Sequence, residues 1–411
     1  MAARNDSAEP PDGFAVRPRA AGRGDQGQAR RQTMIAVAVV GALTVAGCYA
    51  LLATRPGAIT AAGRATGRLA AGAHGARQPA VGTSPATAAT GRTVSITWVG
   101  DMTFGTLGSY PAGGATSLLS DVKPDLRSNL TIGNLESALG DLPMSKCGAH
   151  KADCYQFEAP DDTAQDLRRD GFAAVNVANN HTLDAGAAGE QSTDSALDAA
   201  RLKYAGRPGQ VTYLQRNGIK IALVGFAPWS YDADALDIPA AEALVRQARE
   251  HAQVVIVMEH LGAEGDGAQH VRPGEEYYLG QDRGDPIAFA HGVIDAGADL
   301  VVGSGPHVLR GFQWYRGHLI AYSLGNFCGY DTLGLDSITS VSAMLHITLG
   351  SDGQFELGSI TPLHLAAPGI PEPDPAKAAI TMINSLSHAD FAGNGAARIS
   401  AVGKIVKPKA G

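Results

Sequence analysis

Six short apolar segments of this 411-residue chain each run into side chains that bind metals or move protons. Asp101 follows the first, Asn134-Leu135-Glu136 the second and Asn179-Asn180-His181 the third. Glu259-His260, then Gly303-Ser304-Gly305-Pro306-His307, then Ser323-Leu324-Gly325-Asn326 follow the others. Each alone has an ordinary explanation. Asp101 after Gly100 could cap a turn, and Asn134 and Asn179 are residue types that tolerate positive φ. Taken together, carboxylates, carboxamides and imidazoles at repeated segment ends form the donor set of a hydrolytic centre built on Mn, Fe or Zn.

Such ends converge only if the segments are strands of one domain. Residues 94–99 alternate like a strand, and runs at 130–132, 173–178, 221–224, 254–258, 300–302 and 319–322 predict others. Helix-like stretches at 186–202, 240–251 and 286–296 lie between several of them. This alternation indicates an α/β domain with parallel strands, whose ligand crevice lies beyond the carboxyl ends of the strands. Runs at 341–348 and 355–360 have no helix between them, so the sheet is expected to finish antiparallel.

The ordered motifs resemble the CapA family of poly-γ-glutamate capsule synthesis proteins, whose fold is similar to the calcineurin-like metallophosphatases. They are Gly100-Asp101, Asn134-Leu135-Glu136, and Ala178-Asn179-Asn180-His181 with Asp184-Ala185-Gly186 behind it. His260-Leu261-Gly262-Ala263-Glu264, Ala298-Asp299, Pro306-His307-Val308 and Tyr322-Ser323-Leu324-Gly325-Asn326-Phe327 complete the set. The resemblance implies a metallophosphatase-like layered sandwich, central β-sheets flanked by helices, over residues 93–368, with 369–411 as a C-terminal extension. It implies Asp101 and His307 at a first metal, Asn180 and His260 at a second, and Glu136 as the bridging carboxylate. His181 would be the general acid, and Asn134, Glu264 and Asn326 would contact substrate. The bound ions would lower the pKa of water and polarise the scissile bond.

Two positions depart from the pattern. Thr103 stands where the metallophosphatase Asp-x-His has its imidazole, and Gly305 stands where many relatives carry a second His in the last motif. One or two divalent ions are therefore expected, nearer one, with room left beside Asn180 and His260 at Gly305. The function implied is action in poly-γ-glutamate or capsule polymer biosynthesis or export, as a metal-dependent hydrolase of the phosphoesterase type. A non-catalytic polymer-binding or export component with a degraded metal site is the alternative. The expected partner is an anionic cell-envelope polymer or its synthesis machinery. Arg272, Arg283, Arg310 and Arg316 are the nearest basic candidates, with a solvated surface place as their default. A serine hydrolase at Ser323, with Asp336 and His346 following in order, is a further rival. Its nucleophile elbow needs a helix, and Gly325-Asn326-Phe327-Cys328-Gly329 is a poor helix start.

Composition narrows the rest. Hydrophobic residues at 45% and charged residues at 18% indicate a folded body. Residues 1–92 carry eleven Arg against four acids, while the remainder has 22 basic and 36 acidic residues. An acidic body excludes nucleic acid as the expected partner, since phosphate contacts need clustered Lys and Arg. Residues 1–33 read as a disordered cytoplasmic tail and 54–92 as a flexible Ala/Gly/Thr linker. Between them, residues 34–53 are uncharged, and twenty helical residues rise ~30 Å, the thickness of a bilayer's hydrocarbon core. Arg30 and Arg31 precede this stretch, so a single-pass signal anchor in the cell membrane is expected, with the main domain extracytoplasmic. Val45-Ala46-Gly47-Cys48 resembles a lipobox, which makes a lipoprotein through Cys48 the alternative. Four cysteines exclude a disulfide scaffold. In an oxidising exterior Cys147 and Cys154 are placed to bridge, with zinc held by Cys147, His150 and Cys154 as the other reading. Cys328 is expected to be reduced and buried.

Overall fold

Alternation along the strand Thr93–Thr103 decides the layering: Val94, Ile96 and Trp98 join one apolar core, and Val99 and Met102 join another. The computed structural model describes residues 91–408 apart from 107, 149–153, 333–334 and 336. The expected tail and anchor, the linker as far as residue 90 and Cys48 lie outside the described residues, as do His150 and Asp336. Among the described residues no helix is long and apolar enough to cross a membrane.

Two large sheets make a mixed α/β, sheet-rich layered fold. The first runs Ile370–Pro373, Phe355–Ala366, Val341–Gly350, Thr93–Thr103, Leu130–Leu135, Phe172–Asn176, Lys203–Ala205, with Asn326–Gly329 also paired to Thr93–Thr103. The second runs Phe312–Tyr315, His318–Ala321, Leu300–Ser304, Val254–His260, Ile219–Phe226, Thr212–Arg216. The second sheet is parallel at the centre and antiparallel at both edges, while the first is antiparallel on one side of Thr93–Thr103 and parallel on the other out to Lys203–Ala205. The inner core joins Val94, Ile96 and Trp98 to Ile221, Leu223, Ile256 and Val302 of the second sheet, so the sheets pack face to face. Outer positions of the first sheet pack with Leu118, Leu167 and Leu197 from its helices. Outer positions of the second, such as Val255 and Val257, pack with Val245 and Phe289 of the helices Ile238–His251 and Pro286–Asp295. Burial on both faces is why the central strands read as near-continuous apolar runs.

Local chemistry sets the boundaries. The helix expected at 240–251 begins at Ile238 because Asp237 accepts from the Ala240 N–H and Pro239 fits the first turn. The strand expected at 173–178 stops at Asn176, whose carboxamide bonds both the N–H and the carbonyl of Ala178. Thr212–Arg216 and Phe312–Tyr315 are strands that the sequence reading left out. Both pair antiparallel with a neighbour, and Thr212–Arg216 is an edge strand that is only half covered.

The region after 368 is not an appended extension. Ile370–Pro373 completes an edge of the first sheet, and the helix Ala378–Phe391 buries Ala379, Ile380 and Ile383 in the inner core beside Ile399 and Ile405. Apolar residues at helical spacing pull this segment inward.

Trp98 spans the two sheets, fully buried, and its indole N–H donates to the Gly303 carbonyl at 3.3 Å. Trp98→Ala is expected to lower stability by ~3–5 kcal/mol in urea unfolding. Trp98→Phe should lose clearly less, because most of the packed volume remains.

Candidate metal centre

Strand register lines up the candidate donors. Asp101 is paired in the ladder with Asn134 on one side and Asn326 on the other, and Asn134 with Asn176. Across the sandwich, His260 and Ser304 end neighbouring parallel strands. The pairing slips at Asp101 on both sides, a bulge that re-aims its side chain. Gly100 makes this possible. A Cβ there would lie 1.9 Å from the Gly325 carbonyl oxygen, the same oxygen that accepts from the Asp101 N–H at 3.0 Å.

Asp101, Glu136 and His260 are all fully buried, and their donor atoms lie within 4.8 Å of one another. His260 Nδ1 is 3.2 Å from Glu136 Oε1, and His307 Nδ1 is 3.2 Å from Asp101 Oδ2 and 3.9 Å from Glu136 Oε2. Both Glu136 oxygens, His260 Nε2 and Asn180 Oδ1 are buried without a hydrogen-bond partner. Burial pushes the Glu136 carboxyl well above its ordinary pKa, and the Asp101 charge adds to the push. Burial, then the charge on His307, holds His260 well below its own. Burial pulls His307 down too, but the Glu136 and Asp101 carboxylates outweigh it and hold that imidazole well above its ordinary value. Two buried carboxylates beside a neutral imidazole, with both Glu136 oxygens unpartnered, form a donor set that fits a divalent cation.

The proton-moving group lies alongside. His181 Nδ1 is 2.7 Å from Asp184 Oδ2, and its ring stacks on Phe157 at 4.2 Å between centroids. Asp184 also accepts from the Phe157 N–H and pairs with Lys146 at 3.0 Å, while Lys146 donates to the Asn180 carbonyl. Burial lowers the His181 pKa, and Asp184 opposes this. Cys147 and Cys154 form a disulfide, which ties the chain next to Lys146 to the chain next to Tyr155. Cys328 is free and buried.

A cavity of about 370 Å³ opens over these residues. Asn180, His181, Glu264, His307 and Asn326 line its polar side; Tyr155, Phe157, Trp229, Tyr231 and Tyr278 line the rest.

The expected residues are thus placed unequally. Asp101, Glu136, His260 and His307 converge; Asn180 and His181 stand in the cavity wall. Asn134, expected to contact substrate, does not line the cavity. It is fully buried, donates to Asp101 Oδ1 at 2.9 Å and lies 3.1 Å from His260 Nδ1, so it supports the donor cluster from below. Asn326 reaches the cavity, yet its carboxamide bonds His307 and the Thr339 carbonyl and so orients the imidazole. Glu264 lines the cavity, paired with Arg283 at 2.7 Å. Neither Asn134 nor Asn179 is a positive-φ turn former. Among the candidate donors that conformation falls instead on His307, at φ 58°.

The room expected at Gly305 is not there. A Cβ at Gly305 would meet the His260 ring at 3.1–3.2 Å, and its φ of +105° disfavours a side chain. Its N–H donates to both oxygens of Asp101. Thr103, in the other departing position, hydrogen-bonds Thr332. Ser323 is fully buried, its hydroxyl oxygen accepts from the Gly325 N–H, and a strand follows it, which removes the serine-hydrolase geometry. Arg283 and Arg310, expected at the solvated surface, are buried. The sequence reading missed Lys146, Phe157, Trp229, Tyr231 and Tyr278. Trp229 and Tyr231 carry the one signal that was present, since they directly follow a strand end.

A family model for the bacterial capsule synthesis protein PGA_cap matches residues 95–330, every candidate donor included. The chain belongs to that family. Within it, the chain is 30% identical over 262 residues to a capsule biosynthesis protein CapA of Bacillus anthracis, covering 57% of this chain and 59% of that one. It is 28% identical over 273 residues to the PGA biosynthesis protein CapA of Bacillus subtilis strain 168, covering 62% and 67%. The chain therefore spans less than two thirds of the length of the first of these relatives. Among solved structures it is similar to a hypothetical protein from Thermus thermophilus, at 16% identity and TM-score 0.41 over 66% of this chain and 99% of that one. It is also similar to a 5'-nucleotidase precursor from the same organism, at 13% identity and TM-score 0.37 over 72% and 59%.

A cation that binds the folded state alone stabilises it by ~2.7 kcal/mol at a hundred times its dissociation constant. Mn²⁺ or Zn²⁺ added to chelator-treated protein should accordingly raise the melting temperature, with elemental analysis nearer one ion than two per chain. Glu136→Gln should cut that affinity at least tenfold without lowering the melting temperature of the chelated protein, since it removes an unpartnered buried acid. Equal metal loading by wild type and Glu136→Gln would show that no ion binds here.

Proposed function

We propose that this chain is a membrane-anchored, extracytoplasmic protein of capsule or poly-γ-glutamate synthesis or export that works as a metal-dependent hydrolase on a metallophosphatase-like centre. One observation carries the reading: a buried Asp101–Glu136–His260 triad with unpartnered oxygens lies beside a His181–Asp184 pair on a single cavity. Asp101, Glu136 and His260 would hold the ion, with His307 and Asn180 at hand, and the ion would supply Lewis acidity at the bond to be broken. Asp184 holds His181 through Nδ1, which leaves Nε2 to exchange a proton with the leaving group. Phe157 covers the imidazole face and keeps water from it. The names of the two Bacillus relatives, capsule biosynthesis and PGA biosynthesis, support an anionic envelope polymer or its synthesis machinery as the partner.

A second reading has an observation of its own. Thr103 stands where the metallophosphatase pattern has an imidazole and Gly305 where many relatives have one, and neither supplies a nitrogen donor. A polymer-binding or export component that retains the fold would look the same. Hydrolysis of a chromogenic phosphoester with and without Mn²⁺ separates the two. Turnover that needs the ion and falls at least a hundredfold in His181→Ala supports the hydrolase, following the range typical of a lost general acid or base. Metal binding without turnover in wild type supports the binding component.

Topology is tested separately. With residues 34–53 as an uncleaved anchor, protease added to spheroplasts should digest the body and leave a tag at residue 1 intact. Loss of the tag together with lipid labelling at Cys48 would make the protein a lipoprotein.

A further inference from the structure

Arg283 is a polar residue of the cavity to which the proposed chemistry gives no task. It is only 3% exposed, and its guanidinium carbon lies 4.9 Å from the Trp229 ring centre and 5.4 Å from that of Tyr278. One terminal nitrogen pairs with Glu264 at 2.7 Å, while Nε is buried with no hydrogen-bond partner. The residue is held in place from behind. Its N–H donates to the Glu276 carbonyl, its carbonyl accepts from Gly262, and Glu276 is gripped by the fully buried Arg310.

A buried guanidinium donor without an acceptor is costly, and a ligand oxygen relieves the cost. The guanidinium fork matches the paired oxygens of a carboxylate or phosphoryl group. Flanking aromatic rings exclude water from that contact and confine it to one plane. Trp229 and Tyr231 stack on each other at 12° and extend this surface along the cavity, a wall for carbon rather than charge.

We propose that Arg283 receives an oxyanion of the ligand, a carboxylate or phosphoryl group borne on an apolar or ring-bearing segment that lies against Trp229 and Tyr231. This deepens the reading above, because it takes the cavity to be the substrate's, but it does not depend on the metal. Glu264 then acts as the internal competitor that occupies part of the guanidinium until the ligand arrives.

Two matched probes distinguish the oxyanions: phenylphosphonate and phenylacetate, titrated by calorimetry and Trp fluorescence into the chelator-treated full-length chain. At least one should bind wild type and quench Trp229, which Trp229→Phe would identify. Arg283→Met should weaken binding tenfold or more, and Arg283→Lys should weaken it less. Glu264→Gln should strengthen it at least threefold. That opposite sign guards against misfolding of the Arg283 variants. The assignment is overturned if wild type binds neither probe, if a folded Arg283→Met binds as wild type does, or if Glu264→Gln weakens binding. Binding that depends on Arg283 in a protein without metal-dependent turnover would sink the hydrolase reading alone; turnover with binding indifferent to Arg283 would sink this one alone.

Discussion

Two carboxylates, Asp101 and Glu136, are held without solvent exposure where the carboxyl ends of strands from both sheets meet, and the surrounding chain is arranged to tolerate that charge. Asn134 and the Gly305 N–H donate to Asp101, and His307 stands 3.2 Å away. Glu136 accepts no hydrogen bond, although His260 Nδ1 lies 3.2 Å from its Oε1. The imbalance makes the pair a poor stabiliser of the fold and a good host for a cation, since unpaired buried charge is among the most costly features a core can carry. Sheet geometry supplies the convergence, because parallel strands deliver their last residues to one edge.

The cavity above is built on different terms. Much of its wall comes from loops and short strands, and two ties hold the segments that carry it. The Cys147–Cys154 bridge closes the segment that presents Lys146 and Tyr155, and the Arg310–Glu276 pair fixes the segment that presents Tyr278 and Arg283. Loops held this way can be rigid at the ligand while remaining variable elsewhere.

Much of this was legible in the residues. Apolar runs that break at Asp101, Glu136, His181, His260 and His307 are conspicuous because strand interiors exclude such side chains. The central strands and three of the helices follow from the same alternation. What could not be read was register. Asn134 and Asn326 look like ligand contacts in a linear motif, yet pairing places one beneath Asp101 and the other against His307. Gly305 likewise looked like a missing side chain, when the space beside it is filled by the ring of His260 from the neighbouring strand. The aromatic wall was hard to read because Trp229 lies in a loop and Tyr278 in a two-residue strand, where no period can mark a residue. The helix Ala378–Phe391 was passed over because the family likeness ended before it, although its apolar spacing was plain.

The carboxamides under the centre form a directed chain. Asn176 and Asn179 donate to the Asn134 oxygen, and the Asn134 amide donates in turn to Asp101. Every dipole in that chain presents its positive end towards the acid, so the work of holding one negative charge is spread over three strands and a loop. The four positions are consequently coupled in their tolerance of mutation. A change at Asn176 that left every metal ligand untouched would still alter what is permissible at position 101, so substitutions here would be viable in combinations rather than singly.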